Sequence, residues 1–104
     1  MNEDFPRPTP DTFTIYSKSG CKNCVEAKRL LAAVVPKIIV VDCDEFLIED
    51  REGFLTFMRT IAEKECKTFP MIFCEGKYIG GFADTQEYYK RIYQKQKAFE
   101  EIEI

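Results

Sequence analysis

The chain has 104 residues, 45% hydrophobic and 32% charged, with a formal net charge of −3, five Cys, no His and no Trp. That length and balance fit one globular domain with its own core and exclude a disordered chain. The acidic balance leaves no basic field for a phosphate backbone, so no nucleic acid is expected, and the missing His removes imidazole acid–base catalysis and His-containing metal sites.

Residues Met1 to Asp11 carry Pro6, Pro8 and Pro10 at alternate positions. Such spacing forbids helix and disfavours a central strand, so residues 1–11 read as a flexible, proline-rich tail before a single domain over 12–104. The acidic start has no positive, then apolar, segment of a secretory signal. Thr12 to Ser17 alternates Phe13 and Ile15 against threonines and predicts a strand. Ser19-Gly20 breaks it. Ala27, Leu30, Leu31 and Val34 then fall at i, i+3, i+4 and i+7, one face of a helix that Pro36 ends. Ile38 to Val41, an unbroken β-branched run, predicts a strand covered on both faces in a parallel pairing. It is also the longest aliphatic run, too short to span a bilayer, so no membrane is expected.

Asp42 to Asp50 reads as acidic and irregular. Phe54, Phe57, Met58 and Ile61 repeat the helical spacing and place a second helix over roughly Arg51 to Lys64. Met71 to Cys74 is a third strand, Glu75-Gly76-Lys77 a turn and Tyr78-Ile79 a short fourth strand. Gly80-Gly81 ends the hairpin. Asp84 with Glu87 reads as a capping box opening a last helix that runs to about Ala98. The order β-α-β-α-β-β-α implies an α/β fold: a four-stranded mixed sheet with helices on both faces.

The chemistry concentrates at Cys21-Lys22-Asn23-Cys24, where the first strand hands over to the first helix. A thiolate at a helix N-terminus meets unpaired N–H groups and the positive end of the helix dipole, which lower its pKa. Lys22 pushes the same way. Cys24 lies almost one turn on, within disulfide reach and facing further inward, so Cys21 reads as the exposed nucleophile and Cys24 as the buried resolving thiol. Half a zinc site or a chance pair in a Cys-rich chain are the competing readings. Neither is favoured, because no second Cys-x-x-Cys exists and the strand–turn–helix setting suits a redox pair. The odd Cys count argues against a fully paired secreted framework and for a reducing compartment, the cytoplasm. Cys74, in an apolar strand, reads as a small core residue; Cys43 and Cys66 read as structural or incidental thiols. Tyr88, Tyr89, Ile92 and Tyr93 form an apolar stripe at helical spacing, expected to pack in the core.

Thr14-Ile15-Tyr16-Ser17-Lys18-Ser19-Gly20-Cys21-Lys22-Asn23-Cys24, then Lys67-Thr68-Phe69-Pro70, then Ile79-Gly80-Gly81-Phe82-Ala83-Asp84, together resemble a glutaredoxin over about residues 12–95. The resemblance implies a thioredoxin-like fold, a redox-active disulfide between Cys21 and Cys24, and glutathione as reductant and cosubstrate. It also implies action on protein disulfides and glutathionylated proteins, ribonucleotide reductase among them, by a monomer. Lys18 stands where the family meets the glycine carboxylate of glutathione. Thr68-Phe69-Pro70 resembles its cis-proline step, whose use would be to pair the Phe69 backbone with the cysteinyl part of the ligand. Gly81, Ala83 and Asp84 stand at its γ-glutamyl site, where helix N–H groups meet the carboxylate and Asp84 the ammonium.

Three departures are visible. The family's Cys-Pro-Tyr-Cys is Cys-Lys-Asn-Cys, Ala83 replaces a hydroxyl or carboxylate residue, and Leu55 falls where many members carry Gln or Arg. No metal is expected. Two rival readings remain: a dimer holding an iron–sulfur cluster through the first Cys and a bound glutathione from each subunit, and an electron donor fed by thioredoxin reductase without glutathione.

Overall fold

The computed structural model of the protein describes residues 5–91. In chain order it contains β1 (Phe13–Ser17), α1 (Lys22–Val34), β2 (Ile38–Asp42), α2 (Asp44–Glu49), α3 (Arg51–Ala62), β3 (Met71–Cys74) and β4 (Lys77–Gly80). Residues 82–91 form a further helix, α4, which reaches the end of the described residues. The remainder of the expected last helix, with Ile92 and Tyr93, lies outside them.

The four strands form one mixed sheet in the order β2-β1-β3-β4. β1 runs parallel to β2 and antiparallel to β3, and β3 is antiparallel to β4. Side chains alternate across β1 as the pleat requires, so neighbours enter different cores. Ile15 joins Ala27 and Leu31 of α1 and Ile72 of β3, with Ile79 and Phe82 packed against them. Tyr16 joins Phe54, Phe57 and Met58 of α3 with Met71 and Phe73 of β3. Helices thus cover both faces.

Two expectations from the sequence are revised. The run Ile38 to Val41 does form the strand parallel to β1, but at the edge of the sheet, and Val40 is 43% exposed. Its β-branched residues serve strand propensity and partial packing on each face: Ile38 against the α1 side, Val41 against the α3 side. The acidic stretch before Arg51 is not irregular. Asp44 and Glu45 occupy the first turn of α2, where carboxylates suit the helix dipole, and Phe46 and Leu47 pack onto the α3-side core. Six residues are too few to show a helical period. α3 then starts on Asp50, whose carboxylate accepts from the Gly53 N–H at 3.1 Å. It ends at Glu63 in the left-handed region, φ 61°.

Residues 5–11 have neither helix nor strand, as the alternating prolines dictate, yet they are docked on the domain and are not a free tail. Phe5 is buried, its ring centroid 5.4 Å from each of Phe46, Phe54 and Phe57. The Pro6 carbonyl accepts from the Tyr16 hydroxyl at 2.6 Å, and the Thr9 N–H donates to Thr14 Oγ1 at 3.0 Å.

Candidate active site

Strand register brings the predicted site residues to one end of the sheet. Tyr16 opposes Met71, so the C-terminal end of β1 meets the N-terminal end of β3. Ile72 opposes Gly80, so the C-terminal end of β4 arrives there too. The segments leaving these ends are Lys18 to Cys21, Thr68 to Pro70, and Gly81 to Asp84.

Cys21 is the N-cap of α1 in extended conformation, φ −110° and ψ 106°, and its Sγ accepts from the Cys24 N–H at 3.1 Å. The sulfur therefore sits in the place an N-cap oxygen takes in other helices, facing the unpaired amides of the first turn. Cys21 and Cys24 are joined as a disulfide with their Cα atoms 5.2 Å apart. Cys24 is 1% exposed, while Cys21 is half-exposed and Lys22 and Asn23 point to solvent. The outer and inner placement of the two thiols is the one expected. Gly20, at φ 70°, makes the turn into the helix.

The Phe69–Pro70 peptide is cis. Pro70 is buried, Phe69 half-buried and Thr68 exposed. The Lys18 ammonium stands over the Phe69 ring, 5.6 Å from its centroid. Gly81 packs beside Pro70: a Cβ on Gly81 would meet the Pro70 carbonyl at an ordinary 3.6 Å. Gly80 is the stricter glycine, because its φ is 134° and a Cβ there would overlap the Asp84 carboxylate.

The expected capping box is displaced by three residues. α4 begins at residue 82, so Asp84 is not its N-cap paired with Glu87. Asp84 reaches back instead, and its Oδ2 accepts from the Gly81 N–H at 3.2 Å. The buried Thr85 hydroxyl donates to the Gly81 carbonyl at 2.9 Å and ties the same turn. Ala83 and Asp84 are exposed. A cleft of about 570 Å³ between β4 and α4 is lined by Asp84 with Cys74, Lys77, Tyr78, Tyr88 and Arg91, and apart from Asp84 none of these belongs to the thiol site.

Sequence reading missed two residues here. The Asp44 carboxylate accepts from the Ser19 N–H at 2.9 Å and from the Ser19 hydroxyl, clamping the loop between Lys18 and Cys21. These bonds hold its carboxyl below the usual carboxylate range, helped by the Lys18 charge. The available signal was an acidic pair opening a short apolar stretch, a helix start. The other is Phe54, which reads as one more core position but lies parallel to Phe69, at 7° and 6.5 Å between centroids. Arg59 bonds Thr56 on its own helix at 3.5 Å, and Leu55 packs on the α3-side core.

Of the other three thiols, Cys74 departs from its expected place in the core, while burial of Cys43 and Cys66 suits structural thiols. Cys43 and Cys66 are the buried ones, whereas Cys74 is half-buried and accepts from the Tyr88 hydroxyl at 3.6 Å. Burial pushes the Cys43 thiol up to about 12, and the carboxylates of Asp42 and Asp44 add to it. Burial also raises Cys66, against the lowering effect of the Tyr78 hydroxyl. Iodoacetamide labelling of the reduced, native protein, read by mass spectrometry, should therefore modify the half-exposed Cys21 and leave Cys43 and Cys66 unlabelled until denaturant is added. Labelling of Cys43 as fast as Cys21 would contradict this. Among the described residues no three Cys, Asp or Glu side chains group as a metal site, and no helix is long and apolar enough to cross a membrane.

Comparison with known proteins agrees with this geometry. The sequence profile of the glutaredoxin family matches residues 13–79, more than half of the chain. The chloroplastic glutaredoxin-C5 of Arabidopsis thaliana is 32% identical over 77 residues, 74% of this chain and 42% of that protein. Glutaredoxin-C4 of the same plant is 33% identical over 89 residues, 84% of this chain and 63% of that protein. The chain thus spans less than two thirds of either relative. The crystal structure of glutaredoxin 1 from Francisella tularensis superposes with a TM-score of 0.68 at 25% identity, covering 79% of this chain and 95% of that one. With a thioredoxin-like sheet, a Cys-x-x-Cys pair at the start of its first helix and a cis-proline step at the same sheet end, the chain belongs to the glutaredoxin family.

Proposed function

We propose that the chain is a glutathione-dependent thiol–disulfide oxidoreductase that reduces protein disulfides and protein–glutathione mixed disulfides in a reducing compartment. The observation that carries this reading is the convergence of Lys18, the Phe69–Pro70 step and the start of α4 on the sheet end that presents Cys21. Glutathione has two carboxylates, one ammonium and peptide groups, and each finds its complement there. Lys18 suits the glycine carboxylate. The Phe69 backbone suits the cysteinyl amide and carbonyl. The N–H groups opening α4, that of Ala83 among them, suit the γ-glutamyl carboxylate, and Asp84 suits the ammonium beside it.

The chemistry is two exchanges at sulfur. The Cys21 thiolate attacks the glutathione sulfur of a protein–glutathione disulfide, forming a Cys21–glutathione disulfide and releasing the protein thiolate. A second glutathione thiolate attacks that disulfide, giving glutathione disulfide and regenerating the Cys21 thiolate. Alternatively the Cys24 thiolate attacks Cys21 Sγ, expels glutathione and leaves the Cys21–Cys24 disulfide, which two glutathiones reduce in turn. Turnover of a glutathionylated peptide, coupled to NADPH through glutathione reductase, should saturate in glutathione. Turnover supported only by thioredoxin reductase would replace this reading with a glutathione-independent one.

A further inference from the structure

We propose that the Phe69 side chain is a positioning residue: its ring carries the Lys18 ammonium and thereby makes the site prefer reducing thiols that bear a carboxylate. The proposal rests on the glutathione reading above and concerns a different part of Phe69, the ring and not the backbone.

Lys18 is exposed, and a lysine on a long flexible stem normally samples many positions in water. Here two supports converge on it. The next residue is clamped at its backbone and hydroxyl by Asp44. The ammonium itself lies 5.6 Å from the Phe69 centroid, within the range where the negative face of an aromatic ring attracts a cation. Among the described residues no carboxylate lies within ion-pair distance of Lys18, so its charge is not neutralised by a direct partner.

The ring is itself fixed. It lies parallel to Phe54, which is fully exposed to no solvent and has Phe5 and Phe46 each 5.4 Å away. Phe69 thus packs against the α3-side core through a ring that is itself buried there. The result is a cation held next to the residue that precedes the cis proline, on the loop leading to Cys21. A thiol ligand that brings a carboxylate to that point meets a charge already in place, and one without a carboxylate gains nothing from it.

The test uses a fluorogenic disulfide reduced by the full chain with either glutathione or 2-mercaptoethanol as the reducing thiol. In Phe69→Leu the ratio of the KM for glutathione to the KM for 2-mercaptoethanol should rise roughly two- to fivefold, the worth of one exposed cation–π contact, with the change in KM and not in kcat. Phe69→Tyr keeps an aromatic face and should restore the wild-type ratio. Lys18→Met should raise the ratio, and adding Phe69→Leu to it should raise it no further. The ring-proton resonances of Phe69 should shift in Lys18→Met, which does not depend on any Phe69 variant folding. An unchanged ratio in Phe69→Leu, a failed rescue by Tyr, additive effects in the double variant or unmoved ring resonances would overturn the proposal while glutathione turnover stands. A wild type with no saturable dependence on glutathione would instead overturn the underlying reading, and the proposal with it.

Discussion

Cys21→Ser should abolish glutathione-dependent turnover, a loss of at least about a thousandfold, because a serine hydroxyl at neutral pH supplies neither the thiolate nucleophile nor a sulfur for the mixed disulfide. Cys24→Ser should stay within roughly tenfold of the wild type on a small glutathione mixed disulfide, since the one-thiol route needs only Cys21 and a second glutathione. The asymmetry follows from placement. Cys21 is the half-exposed N-cap of α1, with the Cys24 amide donating to its sulfur, whereas Cys24 is closed off from solvent. On a protein disulfide the two variants should converge, because Cys24→Ser then lacks the resolving thiol that releases the trapped substrate. Steady-state rates of both variants on both substrates decide the matter, and equal survival of the two on the small mixed disulfide would sink the roles assigned here.

Phe54→Ala should produce the largest loss of stability of any single truncation in α3. Its ring is fully buried, with Phe5, Phe46 and Phe69 as aromatic neighbours, and removing it leaves a cavity bordered by three rings. Large-to-small changes of this kind cost about 3–5 kcal/mol, a sizeable part of the ~5–15 kcal/mol that holds a typical domain together. In a domain of this size that is a fall in Tm of roughly 15 °C or more. Urea unfolding of Phe54→Ala beside Ile48→Ala gives the comparison, because Ile48 on α2 is 81% exposed and its truncation should change stability by no more than about 0.5 kcal/mol. Similar midpoints for the two variants would refute the central place given to Phe54.

The elements that can be read from the sequence are those with a full period or a sharp punctuation. Ala27 and Leu31 of α1, the α3 face of Phe54, Phe57 and Met58, and the hairpin around Gly76 all lie where their spacing puts them, while Val34, in the last turn of α1, is exposed. The thiol pair is legible because its chemistry depends on local position, strand then turn then helix start. What escapes is set by tertiary contact. α2 is shorter than two helical turns and leaves no periodic trace. Asp84 looks like an N-cap because its spacing to Glu87 matches a capping box, but Gly80 and Gly81 turn the chain so tightly that helix geometry begins three residues sooner. Asp44 meets Ser19 across 25 residues of sequence, and Phe69 meets Lys18 across a longer gap, so neither pairing has a local signature. Cys74 leaves its expected core place for the same reason: an apolar strand neighbourhood does not say which face a thiol takes.

The docking of Phe5 separates two boundaries that are easily treated as one. The family profile begins at Phe13, yet the ring at position 5 fills the space between α2 and α3. A chain trimmed to begin at the shared boundary would keep every strand and both working thiols but leave Phe46, Phe54 and Phe57 facing water across an open slot. Such a slot is the kind of apolar surface on which polypeptides associate. For this protein, then, the segment that matches the family profile is smaller than the unit that hides its own greasy surface, and residues 5–11 act as a lid on the body that the profile covers.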